Sequence, residues 1–410
     1  LLPWPTCPPP PPSMASRPCR TGQRPRILQW NCNHLGPRHA ELAEHLLREQ
    51  FDVVALQEAY VSGGSLRLPG FVCHASATSC RRRSCSSTPC RDATHPAGRS
   101  HTVIYVRAAL SSAPVDLDTV TEGPMQCAAV TVRMGATDTS VASVYVRPGR
   151  AWDAAAVRRL RALLGPDAVV CGDFNAHHPA WGSPRTTARG RELLEAATSC
   201  GLLVANSGSP TFVRKGPRNT VQQTHIDVTL VSQRLPYAWE TATNTWGSDH
   251  FPILVTPRGD RRRADTRVYA VTSWTNFRKE VAKSLEDPEP DFLAAVVRSA
   301  DKATVRGEVP LCTALPDLEL LRLRARRNQL QRRAIRSSLP ADWTEMRRVD
   351  AQCRRRARQR RRQGWESLCS AMDSSRDPAR AWRVFRASCD LPPPACTPCY
   401  LLPPPWASPM

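Results

Sequence analysis

The sequence has no run of about 18 apolar residues, the length a membrane-crossing helix needs, so no transmembrane segment is expected. Its first residues, LLPWPTCPPPPPS, lack the apolar core of a secretory signal. No internal repeat is visible. Acids are in deficit: 36 Asp and Glu stand against 57 Lys and Arg, a formal net charge of +21. Such a balance favours a polyanionic partner, nucleic acid first and an anionic membrane surface second. Without a signal, the 16 cysteines are expected to be reduced thiols rather than a disulfide framework.

The 410 residues allow two or three domains. Residues 1–24 are Pro-rich and expected to be disordered, with Met14 read as the start. From 25 to 257 the pattern is globular. Short Val- and Ile-rich runs recur (RILQW, DVVALQ, TVIYVR, CAAVTVRM, VASVYV, DAVVCG, IDVTLVS and FPILVT), and each reads as a strand. Helical patterns lie between some of them, in AELAEHLLREQ, in WDAAAVRRLRALLG with Gly165 as its expected C-cap, and in RGRELLEAATSCG with Gly201 likewise. Together they predict one α/β domain. Residues 258–310 read as a linker that opens on a basic hinge. Residues 311–390 read as an Arg-rich helical connector, and 391–410 as a Pro-rich disordered tail. Between Arg322 and Arg362 there are 16 Arg against three acids. So many like charges call for phosphate contact, and Arg354, Arg355, Arg356, Arg358, Arg360, Arg361 and Arg362 are the candidate nucleic-acid-binding residues.

Polar residues cluster at the ends of the predicted strands. Asn31, Glu58, Tyr145, Asp173 and Asn175 end or follow their strands, whereas Asp227 and the pair Asp249–His250 precede theirs. All can share one edge only if the last two strands run against the others, which predicts mixed sheets. The resulting inventory of carboxylates and amide oxygens suits a hard cation such as Mg²⁺, and it holds too few Cys and His for zinc. An imidazole backed by an acid can touch a phosphate oxygen. The sum is metal-assisted phosphoester hydrolysis. Plainer roles compete with it: a turn or cap for Asn31, a solvent-facing strand end for Glu58, edge packing for Tyr145.

The motifs QWNCN, LQE, VYV, GDFNAHHPAWGS, HIDVTLVS and GSDHFPI, in this order, resemble the endonuclease/exonuclease/phosphatase superfamily over about residues 26–257. AHHPAWGS, RGRELLEAATSCGLLVANSGSPTF and THIDVTLVS resemble in particular the endonuclease domain of non-LTR (LINE-type) retrotransposons. WESLCSAMD and AWRVFRA resemble the connector before their reverse transcriptase, and the absence of Tyr-x-Asp-Asp implies a segment that stops short of it. The resemblance implies a four-layer α/β sandwich, two mixed or antiparallel sheets face to face with helices outside, then a basic helical extension. It implies Glu58 as the main metal ligand with Asn31 beside it and Asp249 on the metal side. Asp173 would orient or activate the attacking water, Asn175 would hold it or the phosphate, and Tyr145 would contact the scissile phosphate. Asp227 would pair with His250, which stabilises the charged transition state. The implied reaction is a DNA nick leaving a 3′-hydroxyl, with Mg²⁺ (or Mn²⁺) as cofactor. DNA is the implied substrate, element RNA a partner of the Arg-rich segment, and the nucleus the site of action. An abasic-site endonuclease, a phosphatase of the same fold and an inactive nucleic-acid-binding relic are the alternatives.

Several nearby residues read as structural. His177 and His178 are expected in a loop that Trp181 anchors, and target preference is expected in surface loops such as 211–220. Cys80, Cys85 and Cys90 are too widely spaced for the usual zinc pairs and are read as part of a solvated basic loop. AGRSHTVIYV departs from the Gly-rich approach that relatives have to this strand.

Overall fold

The computed structural model describes residues 24–62, 67–75, 99–117, 120, 125–149, 152–215, 220–260, 266–284, 286, 291–310 and 317–371. The Cys80, Cys85 and Cys90 loop, the Pro-rich ends and the connector beyond residue 371 lie outside them. Residues up to Arg355 form one compact unit and those from Arg356 a second.

Two six-stranded sheets carry the first unit. The first has the order β15 (Tyr237–Thr241), β16 (Ile253–Pro257), β1 (Ile27–Asn31), β2 (Val53–Gln57), β6 (Val103–Arg107), β4 (Phe71–Ala75). The second has the order β11 (Leu202–Val204), β14 (Asp227–Ser232), β10 (Ala168–Asp173), β9 (Thr137–Val146), β8 (Met125–Met134), β7 (Ser111–Pro114). All eight apolar runs are strands. The predicted reversal is present: β1 runs parallel to β2 but antiparallel to β16, and β10 parallel to β9 but antiparallel to β14.

The strands are apolar on both faces because both faces are covered. Ile27, Val53, Ile104 and Val255 of the first sheet meet Val130, Val141, Val169 and Val231 of the second in one core between the sheets. On the outer face of the first sheet, Leu28, Trp30, Val54 and Leu56 pack on Leu35, Leu42 and Leu46 of helix α1 (Leu35–Glu49). On the outer face of the second, Val144, Val170 and Val228 pack on Val157 and Leu160 of α2 (Ala155–Leu163) and on Leu193 and Ala197 of α3 (Ala188–Ser199). The four-layer sandwich is therefore present.

Helix ends follow local chemistry. Thr187 caps α3 by accepting from Gly190 N, and Gly201 takes the left-handed conformation after it, as expected. Gly165 is not the cap of α2. The helix stops at Leu163 because Leu164 turns extended and buries, while Gly165 N donates to Ser140 Oγ at 3.1 Å.

Three smaller ladders complete the strands: β3 (Val61–Ser62) with β5 (Arg99–Ser100), β12 (Phe212–Lys215) with β13 (Val221–Thr224), and β17 (Thr266–Thr272) with β18 (Thr304–Pro310). The last pair encloses α4 (Trp274–Ser284) and α5 (Phe292–Ala303), so the span read as a linker has regular structure of its own. Then come α6 (Leu318–Ser337) and α7 (Pro340–Ala371). No helix of the described residues is long and apolar enough to cross a membrane. The described cysteines, Cys32, Cys73, Cys127, Cys171, Cys200, Cys353 and Cys369, are free thiols.

Candidate active site

The site lies where the C-terminal ends of β1, β2, β9 and β10 meet the N-terminal ends of β14 and β16. Register does the alignment: Asp173 is paired with Tyr145 on one side and Asp227 on the other. Asn31 closes β1 opposite Gln57, and Glu58 is the next residue. Glu58 has φ 49°, a left-handed conformation unusual for its type that costs on the order of 1–3 kcal/mol. The turn is held because His34 N donates to Glu58 O at 2.8 Å and Ala59 N to His101 O at 2.9 Å. Asn175, with φ 48°, makes the equivalent turn after β10, and its backbone N–H donates to Asp173 Oδ1 at 3.0 Å.

One residue-pair below this edge a buried polar layer joins the two sheets. Gln29 donates to Gly172 O (3.3 Å) and accepts from Thr229 Oγ1 (2.5 Å), and Trp239 Nε1 also donates to that hydroxyl (2.9 Å). Gln57 donates to Ser143 Oγ (2.8 Å), which donates to Leu56 O (3.0 Å). Buried polar groups that find partners fix a unique alignment. Gly172 is required here, because a Cβ at this position would stand 1.9 Å from Val144 O. None of Gln29, Gln57, Ser143 and Thr229 was singled out from the sequence, although polar residues inside Val- and Ile-rich runs were the available signal.

The catalytic candidates converge on a cavity of about 680 Å³ lined by Glu58, Tyr145, Asp173, Asn175, Asp249 and His250. Asn31 donates through Nδ2 to both Glu58 Oε1 (3.1 Å) and Asp173 Oδ2 (3.0 Å), which sets the two carboxylates relative to each other. Asn175 Nδ2 donates to Val146 O at 2.9 Å. The Tyr145 hydroxyl bonds Glu58, and burial, with the Glu58 and Asp173 charges, pushes its pKa up, so it stays a phenol. Asp249 Oδ1 accepts from Asn33 Nδ2 at 3.2 Å and Ser248 Oγ at 3.3 Å. The loop carrying it is anchored by Trp246, which stacks on His45 (3.8 Å between centroids) and meets Trp30 edge-on.

His250 is buried and oriented from several sides. Its Nδ1 lies 2.8 Å from Asp227 Oδ2, its backbone O accepts from Trp30 Nε1 (3.1 Å), and the Phe212 ring meets it edge-on. Its Nε2 points to Asp173 Oδ2 at 3.9 Å, too long for a hydrogen bond. Burial disfavours the imidazolium, but Asp227, Asp173 and Asp249 more than offset it and raise its pKa to about 10. Asp173 moves up as well, through burial and then the neighbouring Asp227 charge. We expect Asp227→Asn to lower the His250 pKa and to move any alkaline loss of activity to lower pH, which imidazole NMR titration would read directly. A stabilising contribution from a raised pKa is complete below the unfolded value, about 6.5, and is lost as pH rises towards 10.

Asp173, Asp227 and His250 place one possible ligand atom each within 4.8 Å of one another. Asp227 and Asp173 favour the protonated imidazole, so without a cation this trio is an ion-paired cluster, and a cation there would have to displace that proton. Glu58 fits better: it is half-buried, borders the cavity and pairs with no Arg or Lys among the described residues. With Asp249 it offers the oxygen donors a hard cation takes. Asn31 Oδ1 accepts from Asn33 N at 3.1 Å and keeps a second lone pair for a cation.

Other residues have supporting places. Trp181 is fully buried and donates to Ala176 O (3.2 Å), the expected anchor. His178 caps the short turn before it. His177 lines the cavity, where burial and then Arg185 lower its pKa to about 4, leaving it a neutral acceptor for Arg185 at 2.7 Å. His101, in the stretch that departs from relatives, is buried between Tyr60 and Tyr145. The arginine candidates lie on α7. Arg354 pairs with Asp350 and Arg362 with Glu366, while Arg355, Arg358 and Arg361 are exposed.

Residues 139–254 match the model of the family described as Endonuclease-reverse transcriptase. The matched segment is similar to that family and covers less than half of the chain. It contains Tyr145, Asp173, Asn175, Asp227, Asp249 and His250, and the fold brings Asn31 and Glu58 to it from outside. The resemblance of the motifs to non-LTR retrotransposon endonuclease domains is thus borne out. The chain is 27% identical over 286 residues to the RNA-directed DNA polymerase from mobile element jockey of Drosophila melanogaster, covering 68% of this chain and 29% of that protein. It is 24% identical over 378 residues to the probable RNA-directed DNA polymerase from transposon BS of the same species, covering 86% and 39%. The chain thus spans well under half the length of these curated relatives. Among solved structures, the endonuclease domain of TRAS1, a telomere-specific non-LTR retrotransposon, aligns at 22% identity over 57% of this chain and 99% of that one, with a TM-score of 0.47.

Proposed function

We propose that this chain is a metal-dependent DNA endonuclease that nicks target DNA by phosphodiester hydrolysis and leaves a 3′-hydroxyl to prime reverse transcription for a non-LTR retrotransposon. The observation that carries the reading is the Asp227–His250 pair, whose free Nε2 faces Asp173 across the cavity that Glu58 borders.

The imidazolium offers its Nε2–H to a non-bridging phosphate oxygen and meets the negative charge that grows there. Asp227 holds the ring in that orientation and keeps it protonated. Asp173 sits beside the attacking water and accepts its proton as the P–O3′ bond breaks. Asn31 and the Asn175 backbone N–H hold Asp173 in place. The Tyr145 phenol has its hydroxyl at the same wall. Glu58, with Asp249, would hold a divalent cation, Mg²⁺ in this proposal, which would supply charge neutralisation to the phosphate and to the leaving O3′, and that oxygen takes its proton from solvent. The Arg-rich part of α7 is the proposed contact for element RNA, and nuclear action follows from the need to reach genomic DNA.

The test is the full chain on supercoiled plasmid with Mg²⁺ and with EDTA. Open circles formed only with Mg²⁺, and ends that a polymerase extends directly, support the reading. A folded chain that nicks neither plasmid nor an abasic duplex refutes it.

A further inference from the structure

A second cavity of about 470 Å³ opens beside the catalytic one, and both are lined by Arg214 and Asp249. Strand β12 divides them. Phe212 lines the catalytic cavity and Val213 the second, as successive residues of a strand face opposite ways. Val213 is buried with Trp343 of α7 and Ala334 of α6, and Met346 packs against them. The second cavity therefore has an apolar wall of Val213, Trp343 and Met346 and a basic rim of Arg214, Arg347 and Arg354, with the acids Asp249 and Asp350 also in its lining.

The helices that build this cavity are firmly attached to the nuclease domain. Arg327 makes two hydrogen bonds to Glu41, at 2.6 and 2.8 Å, and Gln331 donates to Thr245 Oγ1 at 2.8 Å. The rim arginines differ in state. Arg354 is paired with Asp350, and Arg214 donates to Gln222. Arg347 is exposed and pairs with no acid among the described residues.

We propose that this second cavity takes one unpaired nucleotide of the DNA strand next to the scissile phosphate, its base against Met346 and Trp343 and its backbone phosphate on Arg347 and Arg214. The assignment rests on the DNA-nicking reading. A polyanionic strand leaving the catalytic cavity on this side meets Arg214 first and Arg347 next. The volume is within the range of small-ligand sites, room for a nucleotide and not for a base pair with both backbones. An apolar wall with a cationic rim is the composition that holds single-stranded nucleic acid by base contact and phosphate contact together.

The test is binding by the full chain in EDTA, read by fluorescence anisotropy. One DNA duplex has a flush nick, and the other has three unpaired nucleotides on one strand at the nick. Wild type is expected to bind the second about tenfold more tightly, within the roughly 5- to 150-fold that a stacked base contributes. Arg347→Ala should lose most of that gain and flatten the salt dependence by about 0.7 of a log unit per log unit of salt. Its unfolding midpoint should match wild type, because the side chain is exposed. Equal affinity of wild type for the two duplexes overturns the proposal, as does a gain that Arg347→Ala retains. A larger gain when the three nucleotides are RNA overturns the assignment to DNA. The measurement needs neither metal nor cleavage. Absence of nicking with the gain intact thus tells against the nuclease reading alone, and nicking without the gain tells against this cavity alone.

Discussion

Replacing His250 by Ala should lower metal-dependent nicking by about 10²–10³-fold, the usual cost of removing one preorganised donor from a site where charge develops. Asp173→Asn should cost about 10²–10⁴-fold, the range of a lost general base. Both side chains are buried and face each other across 3.9 Å, so they serve one event. The double variant should therefore fall far less than the product of the single losses, as groups that work as a unit do. Single-turnover nicking of the three variants against wild type checks this. Full multiplicative loss would mean that the two act in separate steps.

The second large effect concerns stability. Arg327→Ala should destabilise the first unit by up to about 3–5 kcal/mol, because it takes both hydrogen bonds from the buried Glu41 and leaves it only the longer pair with Arg324 at 3.9 Å. Replacing both partners with apolar residues, as in Arg327→Met with Glu41→Leu, should recover most of that loss. Urea unfolding of the three chains at neutral pH makes the comparison. The pair also predicts an acid limb. Burial alone would raise the Glu41 pKa, but its bonds to Arg327 and the nearby Arg324 hold it below the ordinary carboxylate value. Its contribution is thus present above the unfolded pKa, about 4.3, and is lost as pH falls through the lower folded value. In Arg327→Ala that acid limb should shrink. An unchanged midpoint in the single variant would mean that α6 is held without this pair.

The strand runs and the polar residues at their ends were legible because each sheet is covered on both faces. Continuous apolar runs then mark strands, and anything polar at their termini stands out. The reversal of β14 and β16 could be worked out from which end of its run each acid occupied. The polar layer of Gln29, Gln57, Ser143 and Thr229 was not legible. Most of its bonds reach across the sandwich to a partner distant in sequence, and local pattern does not say which partner that is. The β12–β13 hairpin was missed for another reason: its residues are half polar and read as a loop, yet Phe212 closes one side of the His250 ring. The docking of α6 was hidden because an Arg-rich helix presents the same sequence whether its charges meet solvent, phosphate or, as for Arg327, a buried glutamate.

Strand β1, among the first described residues of the chain, lies between β2 and β16, and β16 is made more than two hundred residues later. During synthesis at roughly 5–20 residues per second, β1 and Glu58 leave the ribosome on the order of ten to forty seconds before Asp249 and His250. In that interval the edge of β1 awaits its neighbour, a slow, long-range pairing of the kind that limits folding of such topologies. On the proposed reading a nascent chain therefore has no working centre, and one broken off before β16 would hold Glu58 without the imidazole of His250. The nuclease activity proposed above would begin only when translation has passed the end of this domain.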